Sequence, residues 1–239
     1  MERLDKLLAA TGRWSRKEAK ALIKAGRVQV AGERPAGPED KVEPGTLVTV
    51  DGRPISTETY VYVMLNKPAG VISSTEDPRE ETVLSLLPNQ LRRMGLFPVG
   101  RLDKDSEGLL LLTSDGEIVN RLLRAAGGHE KEYQVTVDRP VTAEFIRRMA
   151  AGVPVLDRMT LPCRVKKTGQ REFDIVLVQG MNRQIRRMCE YLGYRVETLR
   201  RVRIMNLRLG EMQPGDWREA TPAEMAELFR ALEKKEAGQ

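Results

Sequence analysis

Three short stretches of this 239-residue chain carry side chains able to do chemistry. The first, Gly100-Arg-Leu-Asp-Lys-Asp-Ser-Glu-Gly108, holds three carboxylates and two cations and runs straight into the apolar Leu109–Leu112. Carboxylates at the edge of a buried strand sit where desolvation most alters their ionisation. Calcium is one reading, because Asp103, Asp105, Glu107 and Gly108 mimic the opening of an EF-hand loop. The twelfth position of that loop is Ser114, where a bidentate Glu is required, so calcium fails. The second stretch, Gln179-Gly-Met-Asn-Arg-Gln-Ile-Arg-Arg-Met188, spaces Arg183, Arg186 and Arg187 by three and four. That spacing predicts three guanidiniums gathered near the start of one helix. Alone, such a cluster meets solvent or phosphate more often than it completes an active site. The third is Lys131-Glu-Tyr133 at the start of an expected strand, where a tyrosine is usually a core or edge residue.

Other chemistries find no support. Cys163 and Cys189 are far apart and in no metal-ligand spacing, so neither a disulfide framework nor a zinc site is expected, and a reducing cytoplasm fits. The single histidine, His129, follows two glycines and reads as a flexible loop residue rather than a catalytic base. Dinucleotide and phosphate-loop fingerprints are missing. A two-metal nuclease would want more converging carboxylates than the three around Asp103. The N-terminus lacks the apolar core of a signal peptide, and Leu109–Leu112 is far too short to span a membrane.

The elements that must position these stretches fall into two parts. Leu4, Leu7 and Leu8 recur at helical spacing up to Gly12, and Ser15 opens a second helix with Glu18 as its capping-box partner. On that helix Ala19, Leu22 and Ile23 form an apolar stripe, while Arg16, Lys20 and Lys24 share another face beside Lys17. Residues 1–27 carry eight basic side chains against three acidic ones, most of the chain's net +6. After Gly26 and Arg27, Val28 and Val30 alternate as a strand, residues 33–46 read as a loop, and Thr46–Val50 as another strand. From Tyr60 the texture changes. Strands are expected at Tyr60–Leu65, Leu109–Thr113, Glu132–Val137, Pro162–Lys167, Glu172–Val178 and Tyr194–Met205. Helices are expected at Asp115–Arg124, Thr142–Ala151, Asn182–Leu192 and from Thr221. The mixture predicts an α+β sheet domain.

The order helix, basic helix, Gly-Arg-Val-x-Val strand, loop, strand resembles the alpha-L RNA-binding domain, of the kind found in ribosomal protein S-four. Asn66-Lys-Pro-Ala-Gly-Val71, Gly100-Arg-Leu-Asp-x-x-Ser-Glu-Gly-Leu-Leu-Leu-Leu-Thr113, Lys131-x-Tyr133 and Arg183-Gln-Ile-Arg-Arg-Met188 follow in that order. Together they resemble the RsuA/RluB/RluE/RluF family of pseudouridine synthases. Leu161-Pro-Cys-x-Val-Lys-Lys167, the arginine stretch and Arg203-Ile-Met-Asn206 look most like its RluF branch. The resemblance implies an alpha-L domain over residues 1–52, a linker over 53–59, a catalytic domain over 60–232 with a mixed, mainly antiparallel sheet, and a disordered tail over 233–239.

It also implies roles. Asp103 matches the catalytic aspartate, attacking the anomeric carbon or removing a neighbouring proton. Arg186 matches the guanidinium that keeps it ionised and oriented. Tyr133 matches the tyrosine that stacks on the target base and assists proton removal from its fifth carbon, with Leu199 as apolar support. RNA contacts are expected from Arg3, Arg16, Lys17, Lys20, Lys24 and Arg27, and from Lys67, Arg101, Arg183 and Arg187. No metal, nucleotide or redox cofactor is called for, and a monomer is implied. The RNA implied is 23S rRNA near the peptidyl-transferase centre and a tRNA as well, with small-subunit rRNA the alternative. A non-catalytic RNA-binding assembly factor is the main rival, though a binder has no reason to keep Asp103, Tyr133 and Arg186 together. A glycosidase acting on small sugars would want paired carboxylates and aromatic platforms, and aromatics are only 5% here.

Overall fold

In the N-terminal unit, capping chemistry fixes the second helix. The computed structural model describes residues 1–11, 13–43, 45–55, 60–123 and 128–237. Gly12, residues 56–59 of the expected linker, Arg124 and the last two residues lie outside them. Strand β1 (Glu2–Arg3) leads into α1 (Leu4–Ala10) and α2 (Arg16–Lys24). The Ser15 hydroxyl accepts from Glu18 N–H at 3.2 Å, and the Glu18 carboxylate accepts from Ser15 N–H at 2.8 Å. This is the reciprocal box the sequence predicts. Strands β2 (Val28–Val30), β4 (Val48–Val50) and β5 (Arg53–Ile55) form one antiparallel sheet, while β3 (Lys41–Val42) pairs with β1 inside the stretch read as loop. Leu4, Leu8, Ala19, Ile23, Val28 and Val48 are at the centre of its core.

The second unit spans Tyr62–Glu219. Its strands are β6 (Tyr62–Lys67), β7 (Phe97–Pro98), β8 (Glu107–Thr113), β9 (Lys131–Val137), β10 (Pro154–Val155), β11 (Arg158–Met159), β12 (Arg164–Lys167), β13 (Glu172–Leu177), β14 (Val196–Ile204), β15 (Leu207–Arg208) and β16 (Trp217–Glu219). Its helices are α3 (Asn89–Arg92), α4 (Gly116–Leu123), α5 (Ala143–Ala151) and α6 (Gln184–Tyr191). The main sheet runs β12-β13-β9-β14-β8-β6-β16, with β15 on β14 and β7 on β8. Every pairing in it is antiparallel except β14 with β8, so it is mixed and mainly antiparallel. Strand β8 lies between β6 and β14, and Leu109–Leu112 are fully buried, as a continuous apolar run requires. Helices α5 and α6 pack Phe145, Met149, Ile185 and Met188 against Phe173 and Ile175 of β13.

Two expected boundaries are corrected. Arg53–Ile55 is a strand of the N-terminal sheet, so the expected linker begins inside that unit. The final helix α7 (Pro222–Ala237) groups with the N-terminal unit, not with the sheet domain drawn to 232. Its Arg230 lies 3.6 Å from Glu18, and the Arg13 guanidinium stands over its Phe229 ring. Residues 233–237 continue that helix, where a disordered tail was expected. The apolar spacing of Met225, Leu228, Phe229 and Leu232, all buried, gives the reason.

Candidate active site

The loop carrying Asp103 precedes β8 and is fixed from behind. Ser106 N–H donates to the Asp103 carbonyl at 3.0 Å, closing a tight turn. The Ser73 hydroxyl clamps Leu102 from both sides, donating to its carbonyl at 2.9 Å and accepting from its N–H at 3.1 Å. Lys67 is fully buried, and its ammonium donates to the carbonyls of Ser106 (2.6 Å), Pro68 (2.9 Å) and Lys104 (3.4 Å). Gly70 N–H donates to the Lys104 carbonyl at 2.7 Å. The Asn66–Val71 motif is therefore a scaffold beneath the loop. Lys67, expected among the RNA contacts, is corrected to a structural tie, because its ammonium is enclosed by backbone carbonyls. Burial pulls its pKa down to about 8, against the attraction of Asp105, Asp103 and Glu107.

Gly108 is where β8 meets β14. Its φ is +105°, and a Cβ there would lie 2.3 Å from the Arg201 carbonyl oxygen. Only glycine permits the approach, and the approach brings Arg201 and Leu199 of β14 to the cavity that Asp103 lines.

The three arginines divide differently from their sequence spacing. Helix α6 begins at Gln184, and Arg183 stands ahead of it in left-handed conformation, φ 49°. It thus leaves the helical row that Arg186 and Arg187 follow. The guanidinium within ion-pair distance of Asp103 is that of Arg183, at 3.7 Å. Arg183 also grips Asp105 with two hydrogen bonds, of 3.2 and 3.0 Å. Arg186, expected to pair with Asp103, instead donates to the Asp105 carbonyl at 2.9 Å and lies 3.3 Å from the Asp105 carboxylate. Arg187 folds back onto Asn182 and does not line the cavity. Burial would push the Asp105 carboxyl up, yet the Arg183 hydrogen bonds and the Arg186 charge hold it below the usual carboxylate range. Burial draws Arg186 down from its ordinary value, countered by Asp105.

A cavity of about 720 Å³ opens beside this loop, a size that suits a nucleoside. Asp103, Tyr133, Leu199, Arg101, Arg183 and Arg201 all line it. Tyr133 of β9 stands opposite Arg201 in the sheet register. Arg101 is exposed at its edge and Leu199 is buried in its wall. His129, read as a flexible loop residue, is corrected: it is 4% exposed and lines the same cavity. Ser73 and Arg201 were missed. The alternation Leu199-x-Arg201 puts both on one strand face and could have revealed the second; nothing in the sequence marks Ser73.

In the N-terminal unit, Arg3, Arg16 and Lys20 converge on Asp5, at 3.0, 3.2 and 3.8 Å. Asp5 is fully buried, and a buried carboxylate without compensation would cost several kcal/mol. These cations therefore have a structural duty as well. Three cations on one carboxylate leave a surplus of two positive charges, and all three side chains stay about half exposed. Lys17 and Lys24 are exposed on the same helix. Arg27 is exposed and paired with Asp51, its Nε 2.8 Å from the carboxylate. The surface thus keeps the net positive character that phosphate binding needs.

Comparison with known proteins identifies the family. Residues 61–191 match the model of the RNA pseudouridylate synthase family, and residues 2–48 match the S4 domain. The chain is 48% identical over 234 residues to the dual-specificity RNA pseudouridine synthase RluF of Escherichia coli K12, covering 97% of this chain and 79% of that one. It is 36% identical to the ribosomal large subunit pseudouridine synthase B of Bacillus subtilis, covering 97% of both. A crystal structure of a pseudouridylate synthase covers 95% of this chain with a TM-score of 0.68 and 28% identity.

Proposed function

This chain belongs to the RNA pseudouridylate synthase family, and we propose that it isomerises a uridine of 23S rRNA near the peptidyl-transferase centre, and a tRNA uridine as well. One observation carries the reading of the site: Asp103, Tyr133 and Leu199 line one nucleoside-sized cavity, with Arg183 3.7 Å from the carboxylate. The reaction breaks the bond from C1′ to N1 and rejoins the sugar to C5. Positive character develops on the ribose and negative charge on the base. Attack of Asp103 on the anomeric carbon and removal of the neighbouring proton both require the ionised carboxylate. Arg183 supplies the nearest favourable charge, and Arg186 braces the turn through Asp105. Tyr133 stacks on the base and assists loss of the C5 proton, with Leu199 beneath.

A uridine within a helix must be flipped to reach this cavity, which costs a few kcal/mol. Phosphate contacts from Lys17, Lys20, Lys24 and Arg27, and from Arg101 at the cavity edge, help to offset that cost. The S4 match and the dual-specificity name of the 48% identical relative support an RNA substrate of more than one kind. We read the enzyme as cytoplasmic and monomeric. The test is tritium release from RNA labelled at C5 of uridine, on 23S and tRNA transcripts separately. Release from both supports the proposal; no release from either, with small-subunit transcripts releasing tritium in a parallel assay, would overturn it.

A further inference from the structure

We propose that Arg201 donates a hydrogen bond to a carbonyl oxygen of the target uracil and stabilises the negative charge that the base acquires on cleavage. The assignment rests on the reading of this cavity as a uridine site. Arg201 is 2% exposed, lines the cavity with Asp103, Tyr133 and Leu199, and makes no ion pair among the described residues. Its Nε donates to the Leu109 carbonyl at 2.7 Å, which fixes the plane of the guanidinium. Its Nη2 is buried and has no hydrogen-bond partner among the described residues.

A purely structural tie between β14 and β8 would need only the Nε bond. Burying a guanidinium beyond that leaves a charged donor unsatisfied, which is destabilising in the empty protein. A binding site keeps such a donor when the ligand brings the acceptor. The acceptor that fits is set by the neighbours. Tyr133 stands opposite Arg201 in register and Leu199 lies two residues earlier on the same strand, so the three side chains share one face of the sheet, and a base held by Tyr133 and Leu199 lies beside the Arg201 guanidinium. When the glycosidic bond breaks, its electron pair passes to the base and spreads onto the two carbonyl oxygens. A fixed cationic donor then binds the departing base more tightly than the bound uridine, which is what lowers a barrier. No proton need move from Arg201.

Thio-substituted substrates test this without disturbing the protein. Target RNA is made with 2-thiouridine or 4-thiouridine at the modified position, since sulfur accepts hydrogen bonds poorly. Wild type is first shown to convert unmodified RNA; failure there would sink the uridine reading itself rather than the role of Arg201. One of the two thio substrates is expected to lower wild-type kcat/KM about ten-fold. Arg201→Gln is expected to lose roughly a hundred-fold in kcat on unmodified RNA and to be indifferent to that same substitution. Full wild-type rates on both thio substrates would overturn the proposal, and this arm decides even if the variant does not fold. Undiminished thio sensitivity in folded Arg201→Gln would also overturn it.

Discussion

Lys67→Met removes the buried ammonium beneath the Asp103 loop, and the consequence is legible in both stability and rate. Methionine roughly fills the lysine stem, so cavity formation is minor. Lost are charge-assisted bonds to the Ser106 and Pro68 carbonyls, with the Lys104 carbonyl at longer range. Each is worth ~1.5–3 kcal/mol, while relief of the desolvated charge works the other way. A net loss of about 2–4 kcal/mol is expected at pH 7. The pH dependence isolates the group. Lys67 titrates near pH 8 when folded and near 10.5 otherwise, so between those values the unfolded chain binds more protons. Its contribution must therefore rise with pH across that window, by about 2 kcal/mol from pH 7.5 to 9.5. Cys163 and Cys189, pushed by burial up to about 11 and about 12, oppose this above pH 9, but equally in both proteins. Denaturant unfolding of wild type and variant at the two pH values gives the difference. Wild type should gain on the variant as pH rises. Parallel profiles would refute the account of Lys67. Because the loop also loses its tie, kcat should fall about a hundred-fold, the usual consequence of misplacing a reacting group by ~1 Å.

Further outcomes follow from the same geometry. Gly108→Ala should destabilise the sheet domain by several kcal/mol, since the new Cβ meets the Arg201 carbonyl in a positive-φ backbone; thermal unfolding reads it, and an unchanged Tm would contradict it. Lys20→Ala with Lys24→Ala should weaken RNA binding and flatten its salt dependence, by roughly 0.7–0.9 in log–log slope per lost phosphate contact; an unchanged slope in a filter-binding titration removes them from the interface. Asp5 is held at about 2 by the Arg3 hydrogen bond and then by Arg16. Its contribution is present above the unfolded carboxyl value and lost as pH falls through about 2. Asp5→Asn should therefore unfold more readily at neutral pH and show less acid sensitivity between pH 4 and 2. A variant as acid-sensitive as wild type would argue against the hub.

Much of this site was legible because its parts are local. The Asp103 loop announces itself by charge beside a four-leucine run, and that run is buried because β8 lies between two other strands. The capping boxes at Ser15 and Thr221 are visible in three-residue spacing and are made. Less legible was everything that depends on which strands become neighbours. Lys67 reads as one more cation until β6 pairs with β8 and buries it under the loop. Arg183 reads as a helix residue until its left-handed backbone sets it ahead of the helix and beside Asp103. The final helix reads as part of the sheet domain because its apolar stripe does not name its partner.

The central claim, that Asp103 performs the chemistry, is tested most directly by Asp103→Asn. The substitution keeps the side chain's size while removing the carboxylate that either chemical route requires. Purified variant and wild type are compared for RNA binding and for tritium release from C5-labelled uridine. Unimpaired binding with release abolished is the predicted result. Continued release at a rate near that of wild type would contradict the account.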